Sequence, residues 1–92
     1  MEYGSFLGLV HEVFVVKFAD GEAHFELVEC RRLRDVEGQM REPFALLFRG
    51  PAQPVLGQRM YRLEHAQAGV LELFLVPVGR DAQSVQYEAV FN

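Results

Sequence analysis

The chain has 92 residues, half of them apolar and 24% charged, with a net charge of −4. That fits a single domain over 1–92 whose core draws on eight Phe and three Tyr, with no Trp. The acidic balance argues against a nucleic-acid partner, the lone Cys excludes an internal disulfide, and no apolar run approaches the ~20 residues of a membrane-spanning helix.

The N-terminal stretch MEYGSFLGLVHEVF lacks the positive segment and long apolar stretch of a secretory signal, so a cytoplasmic location is expected. One helical turn fits around Ser5–Val10. EVFVVKFADGEAHFELVEC then alternates with period two and reads as a hairpin turning at Asp20-Gly21, a pair suited to the positive φ of a type I′ turn. In that register Phe18 faces Ala23, Val16 faces Phe25 and Phe14 faces Leu27 on one apolar face. Lys17 faces His24, Val15 faces Glu26 and Val13 faces Val28 on the other. Cys30, at an alternating position, reads as a small core residue rather than a reactive thiol.

Arg32–Glu42 is polar and aperiodic and reads as a long mobile connection. The basic cluster Arg31–Arg34 is flanked by Glu29, Asp35 and Glu37, which weakens it as a phosphate patch. Pro43 opens a strand, PFALLFRGP, with Phe44, Leu46 and Phe48 on one face and Ala45, Leu47 and Arg49 on the other. Its apolar outer residues call for cover on both faces, and Arg49 marks where the outer face reaches water, paired with a strand carboxylate or a carbonyl. Gly50–Gln58, with two Pro and two Gly, reads as loop, its Gly50-Pro51 start releasing the chain from the ladder. MYRLEH places Tyr61 and Leu63 inward and Arg62 and Glu64 outward. VLELFLVPV places Leu71, Leu73 and Leu75 on one face, and Val70, Phe74 and Val76 on the other; Pro77 marks an edge or bulge. After a turn at GRDAQS, VQYEAVFN aligns Val85, Tyr87, Ala89 and Phe91 on one face. Tyr87 should bond its hydroxyl to backbone or to an arginine. The fold class is therefore all-β: a small six-stranded antiparallel meander barrel or sandwich with one short N-terminal helical turn.

Motifs for chemistry are absent from the sequence. His11, His24 and His65 lack metal-ligand spacing, no Gly-rich phosphate loop joins a strand to a helix, and Ser5 and Ser84 are the only serines. No metal and no cofactor is expected. Glu26, Glu64, Glu72 and Glu88 lie in predicted strands, and a hydrolase would need two of them close together in a cleft.

PFALLFRGP, YRLEHAQAGVLELFLVPVG and YEAVFN together resemble a small uncharacterised bacterial all-β domain family. Its members carry a Pro-Phe-Ser-Leu-Leu-Phe-like strand ending in Arg-Gly-Pro, a Tyr-Arg-Leu-X-His segment, a Leu-Phe-Leu-Val-Pro-Val strand and a terminal Tyr-Glu-Ala-Val-Phe-Asn. The likeness covers residues 6 to 92 and is most specific in the second half; Ala45 stands where Ser is usual and Gly57 where Pro is frequent. The resemblance implies no catalytic residue, and implies an association with phage-tail-collar-like proteins.

Residues and resemblance together point to a non-enzymatic structural or interaction module, an assembly or accessory component of a phage-tail-like or fibre-forming bacterial system. It would self-associate or bind a protein partner, with the terminal strand VQYEAVFN adding to an exposed sheet edge. The alternative is a small-ligand or peptide-binding barrel with Arg49, Arg62 and Tyr87 around an apolar mouth. Phe91, on the terminal strand, is a fourth candidate contact.

Overall fold

The computed structural model describes residues 2–33 and 43–91. A helical turn, α1 (Tyr3–Leu7), precedes six strands: β1 (Val13–Phe18), β2 (Gly21–Arg32), β3 (Phe44–Pro51), β4 (Arg59–His65), β5 (Gly69–Arg80) and β6 (Ser84–Phe91). All neighbours are antiparallel and the sheet closes into a barrel in the order β1-β2-β3-β6-β5-β4. The all-β class, the six strands and the helical turn are as the sequence predicts, and of the expected barrel or sandwich the chain forms the barrel. The expected connection over Arg32–Glu42, beyond Arg32 and Leu33, lies outside the described residues, and so does Arg34 of the basic cluster.

The strand order departs from a meander at one connection. β1-β2-β3 and β4-β5-β6 are each meanders, but β3 pairs with β6, and β4 closes the ring against β1. The connection 52–58 is longer than a hairpin turn needs, and it crosses one end of the barrel instead of turning back on its own strand. β6 is consequently paired with β3 along its whole length and with β5 from Val85 to Glu88. Closure leaves VQYEAVFN no full-length free edge: at its far end only residues 89–91 extend beyond the pairing with β5, which offers little backbone for strand addition.

The faces of the first hairpin are as expected; its register is not. Phe18 pairs with Gly21, Val16 with Ala23 and Phe14 with Phe25, a displacement of two residues that moves the two-residue turn from Asp20-Gly21 to Ala19-Asp20. A two-residue slip keeps every side chain on its face, so the apolar pattern cannot distinguish the two registers. Neither Ala19, Asp20 nor Gly21 has positive φ, so the I′ geometry inferred from Asp-Gly is not used. The adopted register sets Lys17 against Glu22, with Nζ donating to Oε1 at 3.0 Å.

Alternation fills the barrel. Phe14, Val16, Phe25, Leu27, Leu46, Phe48, Leu63 and Leu75 have no exposed surface, and Tyr87, Val85 and Ala89 complete the β6 contribution. Two bulges interrupt the ladders, at Val28 in β2 and Val78 in β5. The second follows Pro77, which lacks the N–H a regular ladder would use there. The strand through PFALLFRGP runs on past Arg49: Gly50 and Pro51 remain in the ladder against Val85 and Ser84, so the release point lies after Pro51.

The two ends of the barrel differ. One carries the Ala19-Asp20 turn, the 52–58 connection and the 81–83 turn. The other is plugged by α1, where Phe6 packs on Phe44 and Phe91 at 5.9 Å between centroids, so the first and last described elements meet there. The chain leaves this plug through His11, whose φ of 77° lies in the left-handed region. Its N–H donates to the Leu27 carbonyl at 2.6 Å and anchors the turn to β2.

Candidate functional site

The four candidate residues do not converge. Arg49 lies on the outer face of β3, opposite Glu26 on β2, and its Nη2 donates to Glu26 Oε1 at 2.8 Å. This is the carboxylate pairing its position predicts. The hydrogen bond from Arg49, and next that from His11, hold the Glu26 carboxyl below its ordinary range. Arg62 lies on the outer face of β4, donating from Nε to Glu64 at 3.1 Å, with Glu72 across the ladder. β3 and β4 stand three places apart in the six-membered ring, so the two arginines face opposite sides of the barrel. Phe91 belongs to the helix plug, stacked on Phe44 at 4.5 Å and 7°.

Tyr87 alone of the four reaches the barrel mouth. Its ring is buried against Phe25, 4.9 Å away and nearly parallel, and its hydroxyl accepts the Leu56 N–H at 2.9 Å. The bond to backbone is as expected; the partner lies in the crossing connection. Tyr61 ties the same connection by donating to the Gly57 carbonyl, and burial pushes its phenol up from the ordinary value. Together the two tyrosines hold 52–58 over the turn end. Between that connection and the β1–β2 turn lies a cavity of about 340 Å³, lined by Phe18, Ala23, Phe25, Pro54, Leu56 and Tyr87 among others. Sequence reasoning found Tyr87 from its inward position. It missed Phe18, Phe25 and Leu56 as companions, because only the strand order brings β1, β2 and the crossing connection to one end.

A second feature lies on the outside. Met60 and Phe74 are direct cross-strand partners on β4 and β5, and both point outward, 53% and 46% exposed. On the same side Val90 of β6 is 50% exposed and pairs with Ala45 of β3. Val76, two residues along β5 from Phe74, is half-buried opposite Glu88. The sequence signal was visible, since Phe74 and Val76 break the alternation of β5 by being apolar on its outer face. No described element of the chain covers Phe74, Met60 or Val90.

The strand glutamates are spread around the exterior. Glu26 pairs with Arg49, Glu64 with Arg62 and Glu88 with Arg31, and Glu72 opposes Arg62. Among the described residues this gives no carboxylate pair in a cleft, so the hydrolase reading has no geometric support. No group of three or more His, Cys, Asp or Glu among them could hold a metal ion. His65 is engaged locally: Nδ1 accepts the N–H groups of Gln67 and Ala68, which leaves Nε2 to donate to Glu12 at 3.1 Å. Cys30 faces the core beside Leu46, and burial pushes its thiol up, away from the reactive thiolate. No helix among the described residues is long and apolar enough to cross a membrane.

Comparison with known proteins adds one match. The profile of a family described as a domain of unknown function (DUF6916) matches residues 1–91. No curated protein matches the chain, and no solved structure does.

Proposed function

The chain belongs to this family of unknown function, and we propose that it is a non-enzymatic interaction module that binds through the outer β4-β5-β6 face. The observation that carries the reading is the Met60–Phe74 pair with Val90, large apolar side chains grouped on one side of a closed sheet and left in solvent. Grouped apolar surface of this kind mostly marks a contact site, whereas single exposed apolar residues are ordinary. The mode is face-to-face packing, since the closed ring offers no full-length strand edge there. The finer version of this reading is an accessory or assembly component of a phage-tail-like or fibre-forming bacterial system; its support is the sequence resemblance described above.

Sedimentation velocity and affinity capture, run on the wild type and on Phe74→Ser, test the proposal. Phe74, 46% exposed, is half-buried beside its cross-strand partner Met60, so the substitution should cost about 1–2 kcal/mol of stability and leave the fold in place, as a melting curve would show. The wild type should self-associate or retain a protein partner, and the variant should lose that association. A wild type that is strictly monomeric and retains no partner overturns the proposal, as does an association indifferent to Phe74→Ser.

A further inference from the structure

The turn-end mouth has properties the outer face lacks. It is concave, and its lining is apolar and ring-rich: Phe18, Phe25, Tyr87 and Leu56. At about 340 Å³ it sits at the small end of the range for ligand sites, room for on the order of ten non-hydrogen atoms. The interior below is filled, with Phe25 fully buried as the floor, so an occupant would rest at the mouth and not thread the barrel.

One polar group inside is half used. The Tyr87 hydroxyl accepts from Leu56, and among the described residues no acceptor takes its own proton. A buried hydroxyl with a spare donor favours a guest that brings an acceptor. The charged group at the rim is already engaged: Glu22 holds Lys17 at 3.0 Å and His24 at 3.4 Å, and both pairs are exposed. Arg49 and Arg62 lie on the outer faces and do not line the cavity. Nothing in the lining therefore calls for a charged ligand, and burying one among these rings would be costly.

We propose that the mouth between the β1–β2 turn and the 52–58 connection binds a small, uncharged, ring-bearing molecule with one acceptor oxygen. The ring packs against Phe18, Ala23 and Leu56 above the buried Phe25, and the oxygen accepts a hydrogen bond from the Tyr87 hydroxyl. This site is independent of the outer-face reading, and either can stand without the other.

The test uses two probes of similar size in amide-resolved NMR titrations: acetophenone, with a carbonyl oxygen, and toluene, with none. Both should saturably shift the Gly21, Ala23, Gln53 and Leu56 amides, and acetophenone should bind about five-fold tighter, the advantage of one net hydrogen bond. Tyr87→Phe should abolish that preference and leave toluene binding in place, which also reports that the mouth is intact. Ala23→Leu, which fills the mouth from β2, should remove both probes; it serves as the deciding variant should Tyr87→Phe lose the fold. Three results would overturn the site: no saturable shift with either probe, shifts confined to the helix end or outer face, or probe binding unaffected by the variants.

Discussion

Gly50 shows how one missing side chain sets the packing of the mouth. It occupies an inward position of β3, where a Cβ would stand 2.5 Å from Cε1 of Phe25 and 2.8 Å from two further ring atoms. Phe25 is fully buried and stacked on Tyr87, so the ring has little freedom to yield. Gly50→Ala should lower stability by about 1–3 kcal/mol, the usual cost of overpacking, as measured by urea unfolding. An unchanged midpoint would mean that the ring moves freely and that the floor of the mouth is soft. At this scale the sequence was informative where alternation alone decides the outcome. Arg49 had to face outward, and β2 carries Glu26 at the height needed to meet it. The role of Gly50 was not legible, because it depends on which ring the neighbouring strand places over it. Outward Phe74 and Val76 were legible as exceptions to the alternation, but the lack of cover over Phe74 was not.

Among the elements, the β5–β6 turn is closed by a side-chain charge. Asp81 closes the β5–β6 turn by accepting the N–H groups of Gln83 and Ser84, each at 2.8 Å. These bonds hold its carboxyl below the ordinary value, as Arg49 does for Glu26. A carboxyl depressed in the folded state contributes stability that is complete above its unfolded pKa and is lost as pH falls through the lowered folded value. Melting temperature should therefore be flat from neutral pH to about pH 5 and fall below it. Asp81→Asn, which retains an acceptor without the charge, should melt lower at neutral pH and fall less steeply in acid. Parallel curves for the two proteins would remove Asp81 from the account. The first hairpin marks the limit of sequence reading for elements: faces follow from period two, but registers two residues apart share the same faces, and turn geometry and the Lys17–Glu22 pair act between them.

For the whole molecule, the strand order matters more than any strand. Two three-stranded meanders of the same order are joined by seams that pair residues far apart in the chain, such as Val16 with Leu63 and Phe44 with Phe91. Such closures cost chain entropy before they gain contacts, so folding should take milliseconds to seconds despite the small size. Stopped-flow circular dichroism would show this, and a microsecond phase accounting for the full amplitude would contradict it. Six antiparallel strands were legible because each segment alternates and ends in turn residues, but that pattern suits a sandwich as well as a barrel. The seams were not, because every strand carries the same apolar period and none names its neighbour; the length of the 52–58 connection was the one visible hint.

The first and last described elements, α1 and β6, meet at the helix-plugged end, and the mouth lies at the other. Attachment through residues next to α1 or the end of β6, to a sensor chip or a carrier particle, therefore turns the mouth away from the support. An immobilised copy should capture small solutes as well as a free one, and a chain of tethered copies would present its mouths along the outside.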